Sequence, residues 1–274
     1  MTGAAQGRAG ARRRVLLVGG EDSSGRAGLA ADRETVALLG QQGDEPHAAP
    51  LEAVSVATAH TLQQGAELIE LGARDPAVWA AEVRRLVANP MDRPVVAKFG
   101  LLPGRGHLEV AADLMGELVP ACPVVLDPVA GTSGDSPFLA ASDLTLLVER
   151  VLPAGPILTP NIPEAARLTG ADPEVLASDP SSRPAAAERL LAAGAAAVII
   201  KGGHGSEDPV LDLLMRPGAE PHWIRHRRSP GPGIRGSGCR HASALAVGLA
   251  RGRSLAQASE DAAAHLAALI GCRK

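Results

Sequence analysis

Six short apolar runs rich in β-branched residues recur along the chain and alternate with longer stretches of helical periodicity. The runs are residues 15–19, 53–58, 94–99, 123–127, 156–159 and 197–201. The helical stretches are residues 28–40, 76–88, 107–118, 137–150 and 182–193. Such alternation is typical of βαβ crossovers, in which helices cover both faces of a parallel sheet. It therefore predicts a three-layer α/β/α fold with a central, mostly parallel sheet.

The end of the chain departs from this alternation. Residues 209–215 and 222–226 predict an edge hairpin, and residues 239–251 and 255–269 predict two closing helices. The sequence contains no internal repeat and no long linker. We therefore expect a single domain over residues 14–274, which is a length that one α/β unit can fill. Residues 1–13 are predicted to be a mobile basic tail.

The composition limits the partners of such a domain. The formal net charge is -3, and the chain has two Trp, two Phe and no Tyr. Binding of single-stranded nucleic acid depends on basic grooves and aromatic platforms, so no nucleic-acid partner is expected. The apolar run that follows the tail, residues 15–18, is too short for a signal peptide or a membrane span. The tail could touch nucleic acid or an acidic lipid, but its short length favours a solvated segment.

Three cysteines, Cys122, Cys239 and Cys272, are widely spaced and odd in number. They form none of the paired spacings of a zinc site or a disulfide framework. A reducing compartment fits this usage, so we expect a cytoplasmic protein that does not associate with a membrane.

Polar or glycine-rich loops follow four of the predicted strands, at residues 19–28, 127–135, 159–164 and 201–208. Ligands of parallel α/β sheets bind beyond the carboxyl ends of the strands. We therefore expect these loops to build one site at one edge of the sheet.

The segment GSGC, residues 236–239, opens a predicted helix. Glycines allow close approach of a ligand and helix N-terminal amides point at anions, so Gly236, Ser237 and Gly238 could cradle a phosphate. An ordinary cap or turn would use the same residue types. Cys239 lies in the first helical turn, where the helix dipole lowers the pKa of a thiol. This position predicts a thiolate that could serve as a base.

Two nucleotide-binding fingerprints are excluded. Gly231, Gly233 and Gly236 satisfy G-x-G-x-x-G, but this segment is interrupted by proline and does not follow a strand inside a βαβ unit. The sequence also lacks the G-x-x-x-x-G-K-[ST] motif, which excludes a P-loop kinase.

Four polar residues at strand ends have a structural and a functional interpretation. Asn161 and Glu164 can cap the helix that follows residue 161, or Glu164 can hold Mg²⁺ through water. Asp127 and Lys201 each end a predicted buried strand, where a charge is either paired in a salt bridge or functional. The charge run at residues 225–228 could meet phosphate, but we interpret it as a solvated turn.

Taken in order, these loops resemble the hydroxymethylpyrimidine and phosphomethylpyrimidine kinases of the ribokinase-like family. GEDSSGRAGLAAD at 20–32 is similar to G-S-D-P-S-G-G-A-G-I-Q-A-D, and AKFGLLPG at 97–104 to K-I-G-M-L-G. DPVAGTSGD at 127–135 is similar to D-P-V-x-x-x-x-S-G-D, and TPNIPEAARLTG at 159–170 to T-P-N-x-x-E-A-x-x-L-x-G. IKGGH at 200–204 and GSGC at 236–239 match V-K-G-G-H and G-T-G-C. Six ordered matches are far more specific than any single motif.

The resemblance implies an ATP-dependent kinase of thiamine synthesis that phosphorylates a small pyrimidine alcohol or its phosphate. Cys239 would be the base, and the amides of Gly236, Ser237 and Gly238 would receive the phosphoryl group. The residues implied at the nucleotide are Lys201, Asp127, Asn161 and Gly203, with Glu164 and Asn161 also implied at Mg²⁺. The residues implied at the substrate are Gly20, Asp22, Arg26, Ala27, His60 and Phe99. The family further implies a homodimer.

The departures from the family pattern lie on the substrate side. His60 stands where the family has a Gln that reads the pyrimidine, and Arg26 stands where it has a Gly. Residues 127–135 are one residue short, and Arg240 and His241 replace small or apolar residues. Three alternatives therefore remain: a pyridoxal kinase, a kinase for an alcohol of a secondary pathway, and a non-catalytic binding relative.

Overall fold

The structure is a computed structural model, and it describes residues 13–41, 50–64, 67–89, 93–131, 137–229 and 233–272. Residues 1–12 of the predicted tail lie outside the described residues. Arg13, which was assigned to the tail, already begins the first strand, and its guanidinium donates a hydrogen bond to the carbonyl of Ala250. The division into a tail and one domain stays a prediction.

The described residues form a nine-stranded sheet in the order β3-β2-β1-β4-β5-β6-β7-β8-β9. The strands are β1 (Arg13–Asp22), β2 (Leu51–Gln64), β3 (Glu67–Ala73), β4 (Pro94–Phe99), β5 (Val124–Leu126), β6 (Ile157–Leu158), β7 (Ala197–Ile200), β8 (Val210–Met215) and β9 (His222–His226). Strands β2, β1, β4, β5, β6 and β7 pair in parallel, whereas β3, β8 and β9 are antiparallel to their neighbours. The predicted mostly parallel sheet and its edge hairpin are confirmed. The sequence analysis missed β3.

Helices cover both faces of this sheet. They are α1 (Gly28–Gly40), α2 (Pro76–Ala88), α3 (Arg105–Leu118), α4 (Ala141–Leu146), α5 (Ile162–Thr169), α6 (Pro173–Ser178), α7 (Arg183–Ala192), α8 (Ser237–Ala250) and α9 (Leu255–Gly271). The prediction of one helix over 137–150 is wrong at its start. The amide of Phe138 donates to the carbonyl of Ala130 at 3.0 Å, so the chain before Ala141 turns back on the preceding loop.

Two aliphatic clusters fill the space between the layers. One cluster packs α1, α8 and α9 against one face of the sheet, and it includes Val15, Leu17, Ile199 and Leu245. The other packs α2, α3, α5 and α7 against the opposite face and includes both Trp79 and Phe99. Apolar burial of this kind is the main favourable term in folding. The scarcity of aromatic residues leaves the core to Ala, Val, Leu and Ile.

A buried arginine network fixes the loop after β7. Arg183 is fully buried and pairs with Glu207 at 2.7 Å, and it also donates to the carbonyls of Leu176 and Leu211. Arg228 donates to the carbonyls of Gly203, Gly205 and Glu207. The loop that follows Lys201 is therefore held by side chains from two other segments.

The interpretation of residues 225–228 as a solvated turn is wrong for two of its members. His226 ends β9 and lies 3.4 Å from Asp212, and Arg228 makes the loop contacts just described. Local charge density could not reveal these partners, because they come from a neighbouring strand and a distant loop. Arg225 and Arg227 are exposed to solvent, as expected, but Arg225 lies within β9 and not in a turn.

Within the ranges that the structure describes, none of the helices is both long and apolar enough to cross a membrane. The three cysteines are free thiols: Cys122 is buried, Cys239 is partly exposed and Cys272 is exposed.

We expect Glu207→Ala to lower the free energy of unfolding by about 3–5 kcal/mol, because it leaves the buried guanidinium of Arg183 without its carboxylate. Urea denaturation of the full chain measures this loss. The matched control is Glu117→Ala, which breaks a pair with Arg84 whose side chains are both 48% exposed. That change should cost less than about 1 kcal/mol. Equal losses in the two variants would contradict the structural role of the Arg183 network.

Candidate active site

Four segments meet at the carboxyl edge of the parallel strands. They are the loop between β1 and α1, the residues after β5, the start of α5 and the residues after β7. The N-terminus of α8 closes the same edge: a Cβ atom added to Gly238 would lie 3.3 Å from both Asp127 Oδ2 and Lys201 Nζ. The predicted convergence of the loops is therefore present. It brings a helix N-terminus against a lysine and a carboxylate.

Gly236 permits the tight turn that opens α8. Its φ is +76°, and an added Cβ would lie 2.7 Å from the Arg26 carbonyl oxygen and 2.9 Å from Ala27 Cα. Backbone of the first loop therefore abuts the GSGC turn. The amides of Gly238 and Cys239 lie in the first helical turn, where amides have no intrahelical partners and favour anions. The geometry is that of an anion cradle with one wall formed by the β1–α1 loop.

Lys201 and Asp127 form an ion pair beside this turn. Lys201 Nζ lies 3.1 Å from Asp127 Oδ1, and the two side chains are 12% and 3% exposed. Burial alone would lower the pKa of Lys201, but the carboxylates of Asp127 and Glu164 outweigh it and hold that pKa above its usual value. The salt bridge expected as the structural alternative exists. It also presents a fixed ammonium group to the cradle.

Asn161 and Glu164 form a reciprocal cap at the start of α5. Asn161 Oδ1 accepts a hydrogen bond from the Glu164 amide, and Glu164 Oε2 accepts one from the Asn161 amide, each at 2.8 Å. Burial raises the pKa of Glu164 to about 7, with the Asp127 carboxylate adding to the effect and Lys201 opposing it. A nearby cation would stabilise the ionised form of this carboxylate.

The same carboxylate fits a hydrated Mg²⁺ ion. Mg²⁺ binds proteins through one or two carboxylates and keeps water or phosphate in its other positions. The structure shows no group of three or more metal-ligating side chains within its described ranges, which is the arrangement that a zinc cage would need. Asn161 Oδ1 already accepts the Glu164 amide, so its predicted role at a metal stays a prediction.

Cys239 differs from the sequence expectation. Burial raises the pKa of its thiol to about 11, and the Lys98 ammonium and the Gly28 amide oppose this only in part. The expected lowering of the pKa by the helix dipole is therefore wrong for the unliganded protein. Desolvation is the largest effect on the pKa of this thiol, and the charges of Asp32 and Asp127 add to it. Cys239 holds its proton at neutral pH.

Asp22 stabilises the loop between β1 and α1 through hydrogen bonds. Its carboxylate accepts hydrogen bonds from Ser24 Oγ at 2.5 Å, from the Ala27 amide at 3.1 Å and from Arg235 at 2.8 Å. The bond to Arg235 ties this loop to the segment that precedes GSGC. Gly20 lies under the same loop, since its carbonyl oxygen would be 2.2 Å from a Cβ added to Gly28.

The other residues assigned to the substrate are divided between surface and core. Arg26 is exposed in the loop between β1 and α1, and His60 is exposed within β2. Ala27 is partly buried beside Gly236. The Phe99 side chain is fully buried in the core, so solvent does not reach it. Its contact with a substrate stays a prediction, as do the roles of the other assigned residues.

Gly203 lies in the turn held by Arg228. Residues 132–136 of the loop that looked one residue short lie outside the described residues.

Near this edge, the sequence analysis missed the ion pair of Lys98 and the burial of His241, which it had noted only as a departure from the family pattern. Lys98 at the end of β4 forms an ion pair with Asp32 of α1 at 2.9 Å. His241 is 1% exposed, and neither ring nitrogen has a hydrogen-bond partner among the described residues. Burial lowers the pKa of His241 to about 4, and Lys201 adds to this. The signal available for Lys98 was its position inside an apolar strand. The sequence could not show its partner, because Asp32 lies 66 residues away.

Comparison with known proteins identifies relatives along nearly the whole chain. A family profile described as phosphomethylpyrimidine kinase matches residues 22–273. The hydroxymethylpyrimidine/phosphomethylpyrimidine kinase of Streptomyces coelicolor is 36% identical over 257 residues, which cover 93% of this chain and 88% of the relative.

Two solved structures share the fold. The phosphomethylpyrimidine kinase of Clostridium difficile matches with a TM-score of 0.77 at 22% identity, covering 94% of this chain and 100% of its own. The pyridoxal kinase of Staphylococcus aureus in complex with ADP matches with a TM-score of 0.77 at 26% identity, covering 96% of this chain and 89% of its own. The predicted ribokinase-like fold is confirmed.

We expect Gly236→Ala to loosen the β1–α1 loop, because the new methyl group would clash with the backbone of Arg26 and Ala27. Hydrogen exchange measured by mass spectrometry should become faster across residues 20–28. Gly252→Ala is the matched control: its φ is +80°, and an added Cβ meets no described atom within 4 Å. Both variants carry the strain of a left-handed alanine, so only the clash distinguishes them. Unchanged exchange in Gly236→Ala would contradict the proposed wall.

Proposed function

Because the chain belongs to the phosphomethylpyrimidine kinase family, we propose that it transfers the γ-phosphoryl group of ATP to 4-amino-5-hydroxymethyl-2-methylpyrimidine or to the phosphate of that compound. This reaction would serve thiamine synthesis. The observation that carries the proposal is the approach of the α8 N-terminus to the Lys201–Asp127 pair. Phosphoryl transfer depends on positioning and on charge stabilisation, and this edge of the sheet offers both.

The GSGC turn would hold the phosphoryl group during transfer. Backbone amides at a helix N-terminus are fixed before the reaction, so they stabilise developing negative charge without reorganising. Lys201 Nζ lies next to Gly238 and would neutralise phosphate oxygens on the nucleotide side. Asp127 keeps that ammonium in place, because the two side chains are paired and buried.

Glu164 would hold Mg²⁺ on the nucleotide side of the site. The ion, when bound, would neutralise charge on the phosphates of ATP. Asn161 keeps the Glu164 carboxylate in position through the reciprocal cap. The carboxylate has a raised pKa without a cation, and a bound cation would favour its ionised form.

Cys239 would accept the proton of the substrate hydroxyl as the new O–P bond forms and the bond to ADP breaks. Transition states of phosphoryl transfer are loose, so the hydroxyl becomes acidic late in the reaction. A sulfur with a raised pKa is a strong acceptor once it is ionised, and the fraction ionised limits its efficiency.

Pyridoxal is the second substrate to consider. The pyridoxal kinase of Staphylococcus aureus shares the fold at 26% identity. Arg26 in the β1–α1 loop and His60 in β2 are both exposed, and they differ from the Gly and Gln of the family pattern on the substrate side. The cytoplasmic location and the homodimer expected from the family also remain proposals.

The phosphoryl acceptor and the role of Cys239 as base are tested by activity assays. The purified protein with Mg²⁺ and ATP should phosphorylate hydroxymethylpyrimidine or its monophosphate, with the products identified by mass spectrometry. Cys239→Ala should lower kcat by about 10²–10⁴-fold, because it removes the proton acceptor. Cys272→Ala is the control, since that exposed thiol lies outside the site. Turnover of pyridoxal alone would favour the second substrate, and full activity in Cys239→Ala would refute the base assignment.

The role of Arg26 and His60 on the substrate side is tested by substituting the residues of the family pattern. Arg26→Gly and His60→Gln should change the ratio of kcat/KM between hydroxymethylpyrimidine and pyridoxal, because the family pattern has Gly and Gln at these substrate-side positions. The KM for ATP should stay within about threefold, since neither residue belongs to the Lys201–Asp127 pair or to the Asn161–Glu164 cap. Arg225→Gly is the control, as an exposed arginine on the far hairpin. An unchanged ratio in both variants would show that the two residues do not select the substrate.

A further inference from the structure

A buried ion pair lies beneath the catalytic edge. Lys98 Nζ lies 3.0 and 2.9 Å from the two carboxylate oxygens of Asp32, and the side chains are 1% and 0% exposed. Ser243 Oγ donates a third hydrogen bond to Asp32 Oδ1 at 2.7 Å. Replacing such a pair by apolar residues is often neutral or stabilising, so stability alone is a weak reason for it.

Ser243, which holds Asp32 of the pair, lies on the same face of α8 as Cys239. Ser243 lies four residues after Cys239 on α8, and Asp32 lies four residues after Gly28 on α1, so each couple shares one helix face. Gly236 lies against Ala27 at one end of this contact, and Ser243 donates to Asp32 one turn beyond Cys239, so Cys239 and Gly28 lie between these two points. Helices α1 and α8 therefore meet along one seam that has the thiol at its outer end and the carboxylate one turn inside.

The ammonium group of Lys98 reaches toward the outer end of this seam. A Cβ added to Gly100 would lie 2.9 Å from Lys98 Nζ, so the lysine extends along β4 toward the edge where the strands end. Gly100 leaves the space that the ammonium group fills. The lysine is thus held between its carboxylate partner and the site, and it has little freedom to reorient.

The charges around the thiol come from four segments, and Lys201 after β7 is one of them. Lys98 of β4 favours the thiolate, whereas Asp32 of α1 and Asp127 after β5 disfavour it. Lys98 is the strongest of these charges, and only burial exceeds its effect on the pKa of Cys239. Burial alone would lower the pKa of Lys98 and raise that of Asp32, so each charge depends on the other.

We propose that Lys98, clamped by Asp32 and Ser243, is a positioning residue whose fixed positive charge sets how readily the Cys239 thiol gives up its proton. The proposal rests on the proposed function only where it treats Cys239 as the proton acceptor. Asp32 has a double effect: it keeps Lys98 protonated, and its own charge disfavours the thiolate.

The test is the ionisation of Cys239 in the full chain without ligands. The ¹³Cβ chemical shift of labelled cysteine reports the thiolate-to-thiol ratio, and Cys272→Ser and Cys122→Ala variants assign the three signals. At pH 10, Lys98→Met should lower this ratio at Cys239 by about tenfold or more, which corresponds to one pKa unit.

Two further variants keep the result interpretable. Lys98→Met with Asp32→Leu replaces the whole pair by apolar side chains, so the protein should fold even if the single Lys98→Met variant does not. This double variant should also lower the ratio, because the effect of Lys98 exceeds that of Asp32. Arg84→Gln removes a positive charge from an exposed pair on α2, and it should leave the ratio unchanged.

Kinetics provide the second readout. The double variant should lower kcat by about tenfold or more and leave the KM for ATP within about threefold, because its defect lies in proton transfer. An unchanged thiolate ratio in the folded double variant would overturn the proposal. Failure of the base assignment is recognised separately, since Cys239→Ala would then keep its turnover while the titration result stood.

Discussion

The approach of the α8 N-terminus to the Lys201–Asp127 pair is the contact on which the site depends. Glycine at 238 leaves room for this approach, because an added Cβ would lie in tight contact, 3.3 Å from both charged groups. The approach also requires Gly236, whose positive φ turns the chain so closely under Arg26 that a side chain would clash with backbone. Through these two glycines the β1–α1 loop, the strand ends and the last third of the chain become one surface.

Burial then decides the ionisation of the groups at this surface. The pKa values of Cys239 and Glu164 are raised to about 11 and about 7, because desolvation of both side chains outweighs the effect of nearby opposite charges. A bound cation would compensate at Glu164. At Cys239 the compensating charge is already present in Lys98, which an apolar strand carries into the interior beside Asp32.

Much of the fold was predictable because it rests on periodic burial. The apolar runs and the helical stretches between them gave the parallel sheet, the edge hairpin and the closing helices close to their observed bounds. Strand β3 was missed because its residues, ELIELGA, do not form a continuous apolar run, and it pairs at the sheet edge. The reciprocal cap of Asn161 and Glu164 was predictable for a similar reason, since a cap is a local interaction between residues three apart.

The sequence by itself determined the order of the elements, the loops that carry chemistry and the family that they resemble, since each of these is written in local pattern and spacing. Only the tertiary structure decided which charges meet: Lys98 with Asp32, Arg183 with Glu207, Arg235 with Asp22. It also reversed the expected ionisation of Cys239. A helix dipole can be inferred from a helix start, but desolvation depends on what packs around an atom, and those neighbours come from distant parts of the chain.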